Sequence, residues 1–260
     1  MITKPRFALV GALSLAIGVY ATVALASHSW GPYHWGRTAN PFNLKLGDNV
    51  SSAWDAYLAT ASADWSLSSV LDTTVVAGST SSRNCRPKSG RVEVCNRSYG
   101  STGWLGVASI WVSGTHIAQG TVKLNDTYFN TSTYNKPAWR NHVMCQEVGH
   151  TLGLDHQDEN FGNPPLGSCM DYSSDPTLNQ HPNAHDYEQL EAIYAHLDPI
   201  TTVAKSAGVS AAVRRSGDDE EEGPAKWGQE VRKGRDGRPS LYVSDHGRGQ
   251  KVFTFVYWAE

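Results

Sequence analysis

Apolar and polar residues alternate at Phe42-Asn43-Leu44-Lys45-Leu46, the period of a half-buried strand. Asp48 or Asn49 is then placed to cap a helix whose Trp54, Leu58, Ala61 and Trp65 share one face. Residues 70–77 read as a second strand, a Gly/Ser/Asn-rich loop follows, and a short strand is expected near Arg91–Cys95. Segments 104–113 and 117–125 read as two more strands around the turn Ser113-Gly114-Thr115. Pro137 suits the first turn of a helix reaching about Leu152, with Gly153 as its stop. A loop rich in Gly, Asn and Pro covers about Gln157 to Gln180. A last helix then begins near Asn183–Asp186 and carries Leu190, Ile193, Tyr194 and Leu197. Strand, helix, several strands and two helices predict an α+β protein: a mixed twisted sheet with a packed helix.

Both ends of the chain depart from this pattern. Residues 1–26 carry Lys4 and Arg6, then an apolar run from Phe7, and finish Ala24-Leu25-Ala26. That is the layout of a signal peptide cleaved after Ala26, and it predicts a secreted, extracellular protein. An uncleaved membrane anchor is the competing reading, since about twenty apolar residues can span a bilayer. After Asp198-Pro199, residues 201–224 are small and polar and contain the run Asp218-Asp219-Glu220-Glu221-Glu222, a solvated linker. Alternation resumes at 240–244 and 251–258, so residues 225–260 read as a small β-hairpin unit, too short to fold alone and expected to dock on the domain at 27–200.

Composition narrows the class without fixing it. The chain has 260 residues, 18% charged, with nine Trp, eleven Tyr and six Phe, which excludes a disordered polymer. A formal net charge of -3, and only four basic residues between Arg232 and Arg238, give no nucleic-acid footprint. Cys85, Cys95, Cys145 and Cys169 form no Cys-x-x-Cys pair, so cysteine metal or redox chemistry is not indicated. In an exported chain they can pair in three ways.

The informative stretch is Gln146-Glu147-Val148-Gly149-His150-Thr151-Leu152-Gly153-Leu154-Asp155-His156. On a helix, positions 146 and 150 project from one face, so two side chains there can hold one ion. Gly153 lets the chain double back and brings His156 toward the same point. Two or three such donors with an open position make a zinc site that polarises a carbonyl, and Glu147 stands beside it to take a proton from the attacking water.

These residues resemble the motif of the metzincin metallopeptidases, His-Glu-x-x-His-x-x-Gly-x-x-His, and the chain looks matrixin-like within that group. Glu147, His150, Gly153 and His156 match at the right spacing, and Ser168-Cys169-Met170-Asp171-Tyr172 resembles the Met-turn. The resemblance covers about residues 40–198. It implies a zincin fold with an active-site helix and a C-terminal helix, a zinc cofactor and a protein or peptide substrate. It further implies that Met170 packs beneath the metal, that Tyr172 steadies an oxyanion, and that a Cys145–Cys169 bridge ties the Met-turn to the active helix. Cys85 and Cys95 are left to close a short loop.

Gln146 is the departure, because the family has its first zinc histidine there. A neutral amide oxygen is a poorer zinc partner than imidazole. His142 stands eight residues from His150, about 12 Å along a helix, too far to share an ion. Asp155 and Asp158 are possible recruits. His181, His185 and His196, around the last helix, read as surface or capping residues. Two functions follow: a secreted zinc endopeptidase, or a catalytically inactive exported binding protein on the same scaffold. The fifteen or so residues between Ala26 and the first strand leave no room for a pro-domain. Latency is therefore expected from the weak ligand set or from the C-terminal unit.

Overall fold

The computed structural model describes residues 27–203 and 223–260, so the expected signal peptide and most of the acidic linker lie outside the described residues. Its strands are β1 (His34–Trp35), β2 (Phe42–Asn49), β3 (Leu71–Ala77), β4 (Arg91–Arg97), β5 (Trp104–Ser113), β6 (His116–Asn125), β7 (Gln229–Lys233), β8 (Pro239–Gly247) and β9 (Gln250–Trp258). The helices are α1 (Asp55–Trp65), the single turn α2 (Asp126–Phe129), α3 (Pro137–Thr151) and α4 (Ala184–Ile193).

One sheet holds all nine strands, in the order β3-β2-β4-β6-β5-β9-β8-β7, with β1 beside the start of β6. Its two halves differ in kind. β3, β2, β4 and β6 are parallel neighbours, whereas β6, β5, β9, β8 and β7 pair antiparallel. Parallel strands need crossovers, and α1 supplies the one from β2 to β3. The fold is thus α+β with a mixed sheet, as the pattern predicts. The tail is larger than a hairpin: its three strands extend the sheet, β9 pairing the length of β5 from Ser113↔Gln250 to Trp104↔Trp258.

Asp48 and Asn49 do not cap α1. Both lie in β2, where pairing with β3 on one edge and β4 on the other keeps them extended, and the helix starts at Asp55 after Trp54. The apolar face of α1 is as expected: Trp54, Leu58, Ala61 and Trp65 are all buried. α4 ends at Ile193, before Leu197, which is largely exposed. Its start is secured by a capping box in which Asn183 and Asp186 satisfy each other's backbone N–H groups.

The buried tryptophans converge on α3. Trp65, Trp30 and Trp35 donate their indole N–H to the carbonyls of Cys145, His150 and Thr151, at 3.1, 3.0 and 2.8 Å. Two of these carbonyls belong to the last turn, where backbone donors run short and His150 O has only the Gly153 N–H, so the rings both fill the core and complete the helix end. Almost every residue of α3 from Trp139 onward is buried, between the sheet on one side and α1 on the other. A helix buried all round should be apolar, yet α3 carries Arg140, His142, Gln146, Glu147 and His150 inside. Both disulfides, Cys85–Cys95 and Cys145–Cys169, are formed.

Candidate active site

α3 ends in a Schellman turn. Gly153 takes a φ of +104°, its N–H bonds His150 O, and the Leu154 N–H reaches back to Gly149 O. A side chain at 153 would be strained and would press on the Tyr33 carbonyl, 2.9 Å from a Cβ there. The reversal brings His156 against His150, with ring centroids 4.6 Å apart and planes near perpendicular. Each imidazole is anchored by Nδ1: His150 donates to Leu154 O at 2.9 Å, and His156 to the Glu159 carboxylate at 2.7 Å. With Nδ1 committed as donor, Nε2 of each ring is left as the free ligand atom.

The segment 168–172 packs under this pair. Met170 is wholly buried, and its sulfur lies 2.5 Å from where a Cβ on Gly149 would be, so the helix needs glycine at that point. Gln157 N–H bonds Met170 O and Tyr172 N–H bonds Asp158 O, which fasten the turn to the strand-like stretch after His156. Ser168 donates to Asp186 at 2.7 Å, tying the turn also to the start of α4. Tyr172 packs against His156 with ring centroids 4.4 Å apart and planes tilted by 46°, but its hydroxyl donates to the Val256 carbonyl of β9 at 3.3 Å.

Gln146 and Glu147 are the anomaly. Each is about 1% exposed, and neither the Gln146 amide atoms nor the Glu147 oxygens make a hydrogen bond. The Gln146 amide has no partner at all and the Glu147 carboxyl has only a poorly aligned approach from the Ala108 backbone, which is costly for two consecutive buried residues and calls for a ligand. Glu147 sits where β5 passes over the helix: a Cβ on Gly106 would fall 2.5 Å from its Oε1. Burial pushes the Glu147 carboxyl well above the ordinary range, the Ala108 backbone working against it from nearby. Burial, reinforced by His156, likewise pushes His150 well below the usual imidazole value, keeping it neutral and able to ligate. Burial also raises the Tyr172 phenol.

Several sequence candidates are engaged elsewhere. His142 is buried with both nitrogens occupied, by Asn179 O at 2.6 Å and the Tyr257 hydroxyl at 3.1 Å. Asp155 is clamped by Arg232 of β7, and Asp158 bonds Asn160 N–H and the Asn163 amide. Glu159, which the motif did not signal, completes a cluster with Asp155 and His156, and the Arg232 guanidinium supplies its cation, 3.1 Å from Glu159. Burial alone would raise Asp155 and Glu159. Arg232 and His156 outweigh it and hold both carboxyls below their ordinary values.

The tail also roofs the site. Phe255 of β9 stacks flat on His150, centroids 4.1 Å apart and planes 12° from parallel. Phe255, Tyr257 and Arg232 were invisible to motif reasoning, because nothing in a distant hairpin pattern says which edge it joins. A depression of about 380 Å³ borders His156, lined by His28, Asp155, Asp158, Glu159, Arg232 and Arg235 among others.

No family model matches the chain. No curated protein matches it by sequence. Among solved structures it is similar to the crystal structure of myroilysin, at TM-score 0.36 and 13% identity over 62% of this chain and 86% of that one. A second structure of myroilysin gives 0.35 and 15%, over 61% and 82%. High choriolytic enzyme 1, a hatching enzyme zinc-protease from Oryzias latipes (medaka fish), gives 0.34 and 13%, over 62% and 94%. Likeness this distant leaves the functional reading to the site's own geometry.

Proposed function

We propose that the chain is an exported, metzincin-like zinc endopeptidase in a latent state, its site closed by its own C-terminal strands. The observation that carries this is the set of buried, unpartnered atoms on Gln146 and Glu147 beside two imidazoles whose Nε2 atoms are left free. That donor set fits zinc: His150 and His156 would hold it, with the Gln146 amide oxygen as third donor. Bound there, zinc would act as a Lewis acid on a peptide carbonyl.

The chain's own groups do the rest. Glu147 takes the proton of the attacking water and returns it to the leaving amine, and its raised proton affinity suits both halves of that exchange. Glu159 and the Leu154 carbonyl fix the tautomers and orientation of the two histidines. Tyr172 is the candidate to steady the oxyanion, once its hydroxyl is released from Val256. β9 lies along β5, so the strand edge at which an extended peptide could pair is already filled. Disulfides and an extracellular setting are consistent with one another.

Gln146 favours a second reading, a silent relative that kept the scaffold as a binding protein. One experiment separates the two. Purified protein, before and after limited proteolysis of the tail, is assayed for bound zinc and chelator-sensitive peptidase activity alongside Glu147→Ala and Gln146→His. The enzyme reading expects zinc in all forms, activity released by removal of the tail, and its loss in Glu147→Ala with zinc retained. Activity gained only in Gln146→His would identify a silent relative. No zinc held through His150 and His156, and no activity in any form, would sink the enzyme reading and leave the silent relative with its metal site lost.

A further inference from the structure

Four polar side chains outside this site converge at the opposite end of α4. His34 of β1 and His116 of β6 are register partners, while His196 and Asp198 follow the last helix. The Asp198 Oδ1 atom lies 3.3 Å from His34 Nε2, 3.1 Å from His116 Nε2 and 3.7 Å from His196 Nε2. The Nε2 atoms of His196 and His34 are 3.2 Å apart. The rings stand nearly perpendicular, at 77° for His34 with His116 and 87° for His34 with His196, so their nitrogens point inward and their faces do not stack.

Outer partners fix two of these groups. His34 Nδ1 faces the Pro32 carbonyl at 2.8 Å and can only donate there, which leaves Nε2 as a ligand atom. Asp198 spends Oδ2 on the Arg37 guanidinium at 2.8 Å and the Arg37 backbone N–H at 3.2 Å, turning Oδ1 toward the histidines. With Nδ1 donating to Pro32, His34 Nε2 turns its lone pair toward Asp198 Oδ1 and His196 Nε2, an arrangement that a shared cation would satisfy. Donor atoms about 2.0–2.1 Å from a tetrahedral zinc lie roughly 3.3 Å from one another. Asp198 Oδ1 stands at about that distance from His34 and His116, whose donor atoms and its own all lie within 4.8 Å of one another, and the exposed His196 ring lies 3.2 Å from His34.

We propose that His34, His116, His196 and Asp198 form a second metal site, taking Zn²⁺ through three imidazole nitrogens and one carboxylate oxygen. Imidazole with a single carboxylate favours zinc over calcium or magnesium, which want oxygen donors. Four protein donors leave no open position, so the ion is structural: it fastens the N-terminal strand to β6 and to the segment after α4. His34 and Asp198 are buried while His196 is 54% exposed, which gives the ion a way in. The site shares no residue with the His150/His156 centre, and it stands whether or not that centre is a peptidase.

The test uses the full chain carrying His150→Ala and His156→Ala, stripped with chelator, checked for fold by circular dichroism and titrated with zinc alone. It is expected to bind one zinc per chain. Adding His196→Ala, a change at an exposed side chain, should weaken binding at least about tenfold, since outer partners alone cost that much. Adding His116→Ala as well should abolish it. Cobalt in place of zinc should give the intense visible bands of a tetrahedral site, in the wild-type chain also. No zinc uptake by the double variant, unchanged affinity after His196→Ala, or a weak octahedral cobalt spectrum would each overturn the proposal. The cluster would then be a hydrogen-bonded network around Asp198.

Discussion

The two histidine clusters solve the same electrostatic problem in opposite ways. At His150 and His156 the imidazoles are buried under a strand contributed by the tail, and the nearby acids Asp155 and Glu159 are neutralised by Arg232. At His34, His116 and His196 the donors belong to the main domain alone, buried at His34 and exposed at His196, and one acid, Asp198, is oriented by Arg37. The inner cluster keeps its charge balance only while the tail is docked. The outer one owes nothing to the tail. On the proposed reading, the inner cluster belongs to a part of the protein that changes state and the outer one to a part that holds.

The comparison can be broken from the outer side first, where the effect should be largest. Asp198→Ala leaves the Arg37 guanidinium, about 1% exposed, without its anion, although Asn40 and the His196 carbonyl still bond it. Losing one member of such a pair should cost about 3 kcal/mol. Urea unfolding of the whole domain is the measurement, and a shift confined to tail release would contradict the separation drawn above.

Arg232→Ala attacks the inner cluster and should act locally. It removes bonds to Asp155 and Glu159 from a side chain 29% exposed, worth about 2 kcal/mol together. The expected result is faster proteolysis within 223–260 with little change in the global urea midpoint. Equal losses in both would show that tail and domain unfold as one unit.

The smallest effect is with pH. Asp155 and Glu159 have folded values held below their unfolded ones, so the stability they add is complete above the ordinary carboxylate range of about 4. It is lost as the pH falls below that range through the folded values. Tail protection from protease, measured from neutral pH down to about 3, should therefore fall in the wild type. Asp155→Asn should start lower and fall less steeply.

Much of the fold was legible because its signals are short-range. The apolar spacing of α1, Pro137 at the start of α3 and the stop at Gly153 are each set within one or two turns of chain. The approach of His150 to His156 is legible for the same reason, being one helix and the turn that ends it. The cap of α1 was misread where pairing across the sheet outweighed a local preference. His196 is the surface residue that its sequence position suggests, 54% exposed, but its approach to His34, 162 positions away, has no local signal.

By itself, then, the sequence determined local geometry: which segments are helix or strand, where α3 stops, that Gln146 and His150 share one face of it, and that the turn at Gly153 carries His156 back toward them. Tertiary structure alone decided that the tail joins β5, that Phe255 roofs His150, that Arg232 reaches Asp155, and that three histidines meet at Asp198. The physical reason is that periodicity encodes which face of an element is apolar, but not which other element covers it. That choice is made by the fit of whole surfaces, and no local pattern records it.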